Sequence, residues 1–412
     1  MNILYFHQHF STPQGSSGIR SYEMAQRLIN HGHQVTMVCG SYGGGKTGLN
    51  SEFIKGKREG EIDGIHIIEF DLAYSNSDGF AKRALTFVKF AIKSIGLALT
   101  LRYDVVFATT TPLTAGIPGI FARWLRGKPF VFEVRDLWPE LPKQMGVIKN
   151  PIVLAAMSFL EWTSYRSANR CIGLSPGIVE GIKARGVNSD KIALVPNGCD
   201  LSIFDYESKV DVKIEKWRPD GVKESDLLAI FTGTHGIANG LDAALNAAAE
   251  LKVRGRKDIK IALVGQGKLK LQLIEKAKEL ELDNVVFHQP VNKEKLAGLM
   301  ASADVGLQLL ANIPAFYYGT SPNKFFDYIS AGLPVLNNYP GWLAGMIEDN
   351  NCGFAVEPES TIAFADALEK AADNRSKLEQ MGKNSLQLAK TEFDRKILAD
   401  KWVNWVVSTY ND

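Results

Sequence analysis

The sequence predicts an α/β protein of two Rossmann-like domains, each a doubly wound, mainly parallel sheet flanked by helices. Three observations carry this. Short apolar runs alternate with helical stretches from the first residues onward. The alternation breaks once, over the polar stretch 209–224 (KVDVKIEKWRPDGVKE), and then restarts. The chain has 412 residues, enough for two domains, and 45% are apolar against 22% charged, which excludes a disordered, collagenous or coiled-coil chain.

The first strand is expected at 3–6, followed by a loop rich in Ser, Thr, Pro and Gly over 7–18. A helix over 19–30 carries Tyr22, Ala25, Leu28 and Ile29 at helical spacing, and His31-Gly32-His33 closes it before a strand at 35–39. Further strands are expected at 65–70, 105–108, 130–134, 171–174 and 192–195. After the break come a strand at 227–231 and a helix over 241–251, whose Leu241, Ala244, Leu245, Ala248 and Leu251 share one face. Then follow a strand at 259–264, a helix over 269–280, a strand at 285–287, a helix over 293–301 and a strand at 305–309. A last helix, 393–410, carries Trp402 and Trp405 and is expected to return toward the first domain. The boundaries read are 1–207, a linker at 208–225, a second domain at 226–392 and the returning helix at 393–412. Ligands of such sheets bind beyond the carboxyl ends of the strands, here in a cleft expected between the domains.

Net charge is only +2, which gives no charge excess of the nucleic-acid-binding kind. The distribution is uneven: residues 1–200 hold 22 Lys and Arg against 16 Asp and Glu, and the remainder holds 25 against 29. An anionic surface or partner is therefore expected at the first domain. Cys39, Cys171, Cys199 and Cys352 lie far apart without a Cys-x-x-Cys pair, which excludes a zinc ribbon or dithiol redox site and fits free thiols of a cytoplasmic protein. The opening MNILYFHQHF reads as a strand rather than a signal peptide. The longest apolar segment, 80–101, is interrupted by Lys82, Arg83, Lys89 and Lys93, so no transmembrane helix is expected.

Gly40-Ser41-Tyr42-Gly43-Gly44-Gly45-Lys46-Thr47 matches the P-loop expression letter for letter. A P-loop needs a helix beginning at its Lys-Thr, and the following GLNSEFIKGKREGEIDG has glycines but no apolar stripe. We read it as a glycine-rich surface loop. The turn Thr232-Gly233-Thr234-His235-Gly236-Ile237-Ala238-Asn239-Gly240-Leu241 lies between a strand and an Ala-rich helix, where backbone can approach a phosphate and the helix end adds positive potential. Val264-Gly265-Gln266-Gly267 repeats the design one unit later. In Ser321-Pro322-Asn323-Lys324-Phe325-Phe326-Asp327-Tyr328-Ile329, Phe325, Phe326 and Ile329 form a buried face, and Gly332 and Pro334 end the helix. Lys324 near the helix N-terminus opposes the dipole unless an anion sits between them, which points to a ligand; a surface ion pair with Asp327 is the alternative.

These residues and the element order resemble the retaining glycosyltransferases of family 4, which have the GT-B architecture, over nearly the whole chain. Gly15-Ser16-Ser17-Gly18 with its helix and the Gly32-His33 turn match the family's opening pattern. Val195-Pro196-Asn197-Gly198-Cys199-Asp200 with Phe204 matches its inter-domain crossing, and Phe354 with the following Glu-Pro its late segment. Glu133-Val134-Arg135-Asp136-Leu137-Trp138-Pro139-Glu140 together with Ser321-Pro322-Asn323-Lys324 is similar to a bacterial branch that adds N-acetylated aminosugars during O-antigen, capsule or lipid-linked glycan assembly. The resemblance implies a UDP-sugar donor and a lipid-linked or saccharide acceptor, the acceptor on the first domain. It places Gly18, His235, Gly236, Asn239, Gly240, Gln266, Val291, Ser321, Lys324 and Asp327 at the donor, with Asp327 at the ribose and the backbone around Val291 at the base. The family's Glu-x7-Glu is altered: its first acid falls near Gly319, and its second position is the shorter Asp327.

No Asp-x-Asp appears at a strand end, so neither a metal nor a cofactor is expected; the His235–Gly240 turn and Lys324 are expected to stabilise the departing diphosphate instead. Asp136, with Arg135 beside it, is the candidate catalytic or acceptor-orienting group; a structural ion pair is the other reading. His7 and His9, at the end of the first strand, are expected in the cleft. Lys82, Thr86, Lys89 and Lys93 form one stripe of an otherwise apolar helix, expected either to lie peripherally on an anionic inner membrane face or to pack its apolar face on the sheet. Rival functions are a sugar-nucleotide epimerase of similar twin-domain shape, a non-catalytic nucleotide-sugar-binding protein and, least favoured, a P-loop NTPase.

Overall fold

The computed structural model describes residues 1–15, 18–43, 45–75, 78–204 and 214–411. Ser16 and Ser17 of the opening loop, Gly44 of the glycine-rich loop and the first part of the expected linker, through residue 213, lie outside the described residues. The chain divides into two compact units. The first comprises Met1–Pro196, Gly319–Ser321 and Lys396–Asp412; the second comprises Asn197–Tyr318 and Pro322–Arg395.

The first unit is built on eight strands: β1 (Asn2–Phe6), β2 (Gln34–Tyr42), β3 (Lys57–Ile62), β4 (Ile65–Tyr74), β5 (Val105–Thr109), β6 (Phe130–Val134), β7 (Arg170–Gly173) and β8 (Ile192–Leu194). Their order is β3-β4-β2-β1-β5-β6-β7-β8, and only the β3–β4 pair is antiparallel. β5 and β6 are buried along their whole length, which is why VVFAT and FVFEV read as continuous rather than alternating apolar runs. Strand order reverses between β1 and β5, so their carboxyl ends open a crevice there.

The second unit has six parallel strands: β9 (Leu227–Thr232), β10 (Ile259–Val264), β11 (Val285–His288), β12 (Val305–Gln308), β13 (Val335–Asn337) and β14 (Gly353–Ala355). Their order, β11-β10-β9-β12-β13-β14, is that of a doubly wound dinucleotide-binding sheet, with the reversal between β9 and β12. The buried core combines Leu227, Ala229 and Phe231 of β9 with the Ala- and Leu-rich face of the helix Asp242–Val253 and with Phe364 and Leu368 of the helix Thr361–Asp373.

The last helix, Arg395–Ser408, packs on the first unit. Trp402 is fully buried, edge-on to Phe107 at 4.7 Å between ring centroids. The Trp405 indole donates to the Cys171 carbonyl at 3.1 Å. Arg27, on the helix Arg20–Asn30, donates through Nε to Asp400 at 2.6 Å, so the chain's first and last helices are pinned together.

Two sequence expectations are refined. The segment after the glycine-rich loop contains β3, which the sequence concealed because KREGEI alternates exposed and half-buried positions with no apolar face. No helix starts at Lys46-Thr47; instead the Thr47 hydroxyl donates to Glu69 at 2.6 Å, and Arg58 grips the same carboxylate at 2.9 Å through each of two nitrogens. All four cysteines are buried and free. Among the described residues, no helix is long and apolar enough to cross a membrane.

Candidate active site

In the second unit, three loops leave the carboxyl ends of adjacent strands in register. Thr232 of β9 pairs with Val264 of β10, and Val264 with His288 of β11, so the turn at Gly233, the turn at Gly265 and the loop holding Val291 lie side by side. The first two turns are stitched together: Gly233 N–H donates to the Val264 carbonyl at 3.0 Å and His235 N–H to the Gln266 carbonyl at 3.0 Å. The packing is so close that a Cβ on Gly265, at φ +153°, would sit 1.8 Å from the Gly233 carbonyl oxygen. Gly265→Ala is therefore expected to push these turns apart, lowering the melting temperature through roughly 1–3 kcal/mol of strain and weakening nucleotide binding; an unchanged melting curve would contradict this close approach.

His235 departs from its expected role as a donor contact. Its ring is fully buried between Phe231 and Phe287, and both ring nitrogens lack a hydrogen-bond partner. Burial, with Lys270 nearby, pulls its pKa down to about 4, so the imidazole is neutral near pH 7. Only the backbone of this residue lies on the turn. Gln266 is exposed, and Gly236, Asn239, Gly240 and Val291 are partly exposed. Gly240, at φ +55°, brings the turn against the loop after β12, where a Cβ would lie 2.9 Å from the Ala311 backbone.

Lys324 lies in the first turn of the helix Asn323–Ser330. That helix is held by buried Phe325, Phe326, Tyr328 and Ile329, and the Tyr328 hydroxyl accepts from Thr232 N–H at 3.0 Å, fixing it against β9. The Lys324 ammonium donates to Asn239 Oδ1 at 2.7 Å and stands 4.7 Å from the centre of the Phe231 ring. Asn239 is itself anchored, donating to the Thr234 carbonyl at 2.7 Å. Lys324 has no carboxylate partner among the described contacts, and the expected alternative, an ion pair with Asp327, does not form. Burial without a counter-charge brings its pKa down to about 7. Asp327 faces a different neighbourhood, containing Arg395, Lys293 and Asp200; burial raises its pKa to about 6 against the pull of the two cations. Ser321 groups with the first unit.

In the first unit, the ends of β1, β5 and β6 bring together a second polar cluster. Arg135 lies just beyond β6; its backbone N–H donates to Thr110 Oγ1 at 2.8 Å and its guanidinium meets His7 Nε2 at 3.4 Å. Asp136 accepts from Thr111 Oγ1 at 3.3 Å, and burial raises its pKa although Arg135 opposes the shift. Burial and the neighbouring Arg135 hold the His7 pKa well below the usual imidazole range. His7 Nδ1, both amide atoms of Gln8 and the Trp138 indole nitrogen are buried without partners. Such groups are rare in folded proteins and fit a site awaiting polar ligand groups. His9 instead stacks on Tyr74 at 4.4 Å between centroids. Gly18 is exposed beside the undescribed Ser16 and Ser17.

Sequence reasoning quoted the residue beneath this cluster only within a motif and gave it no role. Glu133 is fully buried and accepts from Arg20 Nη2 at 2.9 Å, Thr109 Oγ1 at 2.9 Å and the Trp402 indole at 3.0 Å. Arg20 also donates to the Pro196 carbonyl at 2.7 Å and the Val195 carbonyl at 2.9 Å. The signal available was a lone acid inside the apolar run FVFEV.

Comparison with known proteins gives this geometry a family. The glycosyl transferase 4-like domain matches residues 15–198, and the glycosyl transferases group 1 domain matches residues 213–388. Between them they account for most of both sheets. The chain is a GT-B glycosyltransferase.

This glycosyltransferase is 28% identical over 208 residues to the D-inositol 3-phosphate glycosyltransferase of Nocardia farcinica, covering 49% of this chain and 44% of that protein. It is 31% identical over 170 residues to the lipopolysaccharide glucosyltransferase WaaG of Escherichia coli, covering 40% of this chain and 43% of that protein. The chain thus matches less than half the length of these two curated relatives. A solved structure of WaaG superimposes with TM-score 0.66 at 19% identity, covering 98% of this chain and 99% of that chain. Anabaena Alr3699/HepE in complex with UDP-glucose superimposes with TM-score 0.69 at 16% identity, covering 99% of this chain and 100% of that one.

Proposed function

We propose that this glycosyltransferase moves a sugar of the N-acetylhexosamine type, with retention, from a UDP-sugar to a lipid-linked or saccharide acceptor in bacterial surface-glycan assembly. The observation that carries the reading is Lys324: a half-buried lysine, held by Asn239 at a glycine turn, with no carboxylate partner among the described contacts. A lysine at a strand-end turn whose charge an anion restores suits a nucleoside diphosphate, whose charge grows as the sugar leaves. The UDP-glucose bound by HepE supports the uridine donor, and the lipopolysaccharide named for WaaG supports the surface-glycan acceptor. The aminosugar rests on the Glu133–Glu140 and Ser321–Lys324 motifs.

Gln266 and the backbone of the Gly236–Gly240 turn would line the pyrophosphate, Val291 the base and Asp327 the ribose. Asp136, with its raised pKa, would orient the acceptor hydroxyl, and Arg135 would hold the charge nearby. In a retaining transfer of this kind the departing phosphate oxygen takes the acceptor's proton, the glycosidic bond to UDP breaks and the new bond forms on the same face of the sugar.

A thermal-shift screen of UDP-, GDP- and dTDP-sugars tests the donor, followed by UDP release in the presence of membrane extract. UDP-sugars should stabilise the protein, and release should require an acceptor. Conversion between UDP-sugar isomers without acceptor, or binding without turnover, would overturn the reading. With Lys324 neutralising the diphosphate, turnover should persist in excess EDTA; a strict requirement for Mg or Mn would remove that role from Lys324.

A further inference from the structure

The glycine-rich loop that matches the P-loop expression has no part in the chemistry above, yet it walls a cavity of about 420 Å³ in the first unit, at the carboxyl ends of β2 and β4. Two of its glycines let it lie close to its neighbours. Gly43 N–H donates to the Tyr74 carbonyl at 3.0 Å, and a Cβ on Gly45 would sit 2.9 Å from the Phe10 carbonyl oxygen. Lys46 N–H donates to Ser11 Oγ at 3.1 Å, and the Lys46 carbonyl accepts from Thr12 N–H at 2.8 Å. The loop is thereby stitched to the segment that follows β1, and its glycines are explained without a phosphate.

The lining combines aromatic surface with paired charges. Tyr42 and Tyr74 both contribute to it, their ring centroids 5.7 Å apart, and His9 stacks on Tyr74 at 4.4 Å. Arg58 is paired with Glu69 at 2.9 Å and Lys82 with Asp78 at 2.7 Å, so a cation and a carboxylate stand side by side twice. Gln14 and Asn50 are exposed at the same cavity, as is Lys46, which has no ion-pair partner among the described residues. Next to this wall are polar groups with nothing to bond. Both amide atoms of Gln8 and Nε2 of His9 are buried without partners, and a Cβ on the cavity-lining Gly40 would meet Gln8 at 3.6 Å. Such orphans are rare in folded proteins.

This chemistry disfavours two classes of ligand. A nucleotide phosphate needs free amides at a helix start, and here no helix begins at Lys46-Thr47, while the Thr47 hydroxyl and Arg58 are both committed to Glu69. An apolar ligand would take two ion pairs out of water. A sugar ring suits the lining. Its C–H faces can lie on tyrosine, and each hydroxyl both donates and accepts, so neighbouring hydroxyls can give a proton to a carboxylate and take one from the cation beside it.

We propose that this cavity binds a saccharide unit of the acceptor, with Lys46, Gln14 and Asn50 at its hydroxyls. In the sheet order β2-β1-β5-β6, three strand spacings, about 14 Å in all, separate the cavity from the end of β6, beyond which Asp136 stands. The sugar held here is therefore further along the acceptor than the one whose hydroxyl receives the transfer. This rests on the saccharide-acceptor part of the proposed function and extends it: the acceptor carries more than one sugar, and the glycine-rich loop reads the distal one.

The test is saturation-transfer NMR with calorimetry on the full chain, using N,N′-diacetylchitobiose, lactose and maltose as probes. At least one should bind the parent. Asn50→Trp, which fills the cavity from an exposed position, should weaken that binding at least tenfold, and Gln14→Ala with Lys46→Ala should weaken it in the same direction. All three positions are exposed, so melting curves should be unchanged, and UDP affinity should be unchanged because the donor residues lie in the second unit. Failure of all three probes to bind would overturn the inference, and in a parent that binds UDP it would overturn this inference alone. Saccharide binding that is lost in Asn50→Trp, in a parent that does not bind UDP, would uphold the cavity and overturn the donor assignment instead. Equal saccharide binding by parent and variants would place the sugar elsewhere and overturn the inference.

Discussion

Replacing Glu133 by Ala should destabilise the first unit by about 3–5 kcal/mol, the usual cost of removing one partner of a buried ion pair. Arg20 would be left buried with its charge uncompensated, and the Thr109 hydroxyl and Trp402 indole would lose their acceptor. The damage would reach three places at once, because Arg20 also holds the carbonyls of Val195 and Pro196 and Trp402 anchors the last helix. Calorimetric unfolding should show a transition displaced to lower temperature, and Glu133→Gln, which can keep some of the hydrogen bonds, should lie between Ala and the parent. Burial by itself would raise the Glu133 pKa, but Arg20 and Arg135 outweigh it and the net shift is downward. Its contribution is therefore complete above the ordinary glutamate pKa and is lost as pH falls through the lower folded value. The parent should lose stability over that acid range more steeply than Glu133→Gln. A thermogram unaffected by Glu133→Ala would mean that Arg20 and Trp402 are held by other contacts.

Much of the fold was legible because buried parallel strands announce themselves. The runs at 130–134 and 259–264 coincide with β6 and β10, where both faces are covered and nearly every residue is apolar. β3 escaped because it is an edge strand with polar residues on both sides. The site divides in the same way. Lys324 could be singled out because a lysine in the first turn of a helix conflicts with the dipole, and that conflict is visible in a few consecutive letters. Glu133 with Arg20 could not, since the partners are 113 residues apart and only the fold brings them together. His235 was misread for a related reason: a glycine turn marks where backbone meets ligand, but the direction of one side chain depends on the neighbouring sheet positions Phe231 and Phe287. On the helix Phe80–Thr100 the lysine stripe was read from spacing, whereas the division of its apolar residues between inside and outside depends on the helices beside it.

Lys324→Met should abolish most UDP binding while making the unliganded protein more stable. A hydrogen-bonded cation facing a diphosphate is worth about 1.5–3 kcal/mol, roughly ten- to a hundredfold in Kd. The stability change has the opposite sign because burial lowers the Lys324 pKa to about 7, against an ordinary value of 10.5. The unfolded chain then holds more protons than the folded one between those two values, so stability rises with pH across that window, and the full cost of burying the charge is present below pH 7. Methionine has no such cost. Its melting temperature should exceed the parent's at pH 6, with the gap closing toward pH 10. Binding carries the complementary signature. An anionic diphosphate restores the charged form, so at pH 8, where the free lysine is about nine-tenths neutral, UDP binding should take up close to one proton. Affinity should fall about tenfold per pH unit above 7 until the pKa of the complex is reached. Calorimetry in two buffers of different ionisation enthalpy measures the uptake directly. Proton uptake that persists unchanged in Lys324→Met would show that another group titrates, and a parent whose affinity is flat from pH 7 to 9 would remove Lys324 from the diphosphate.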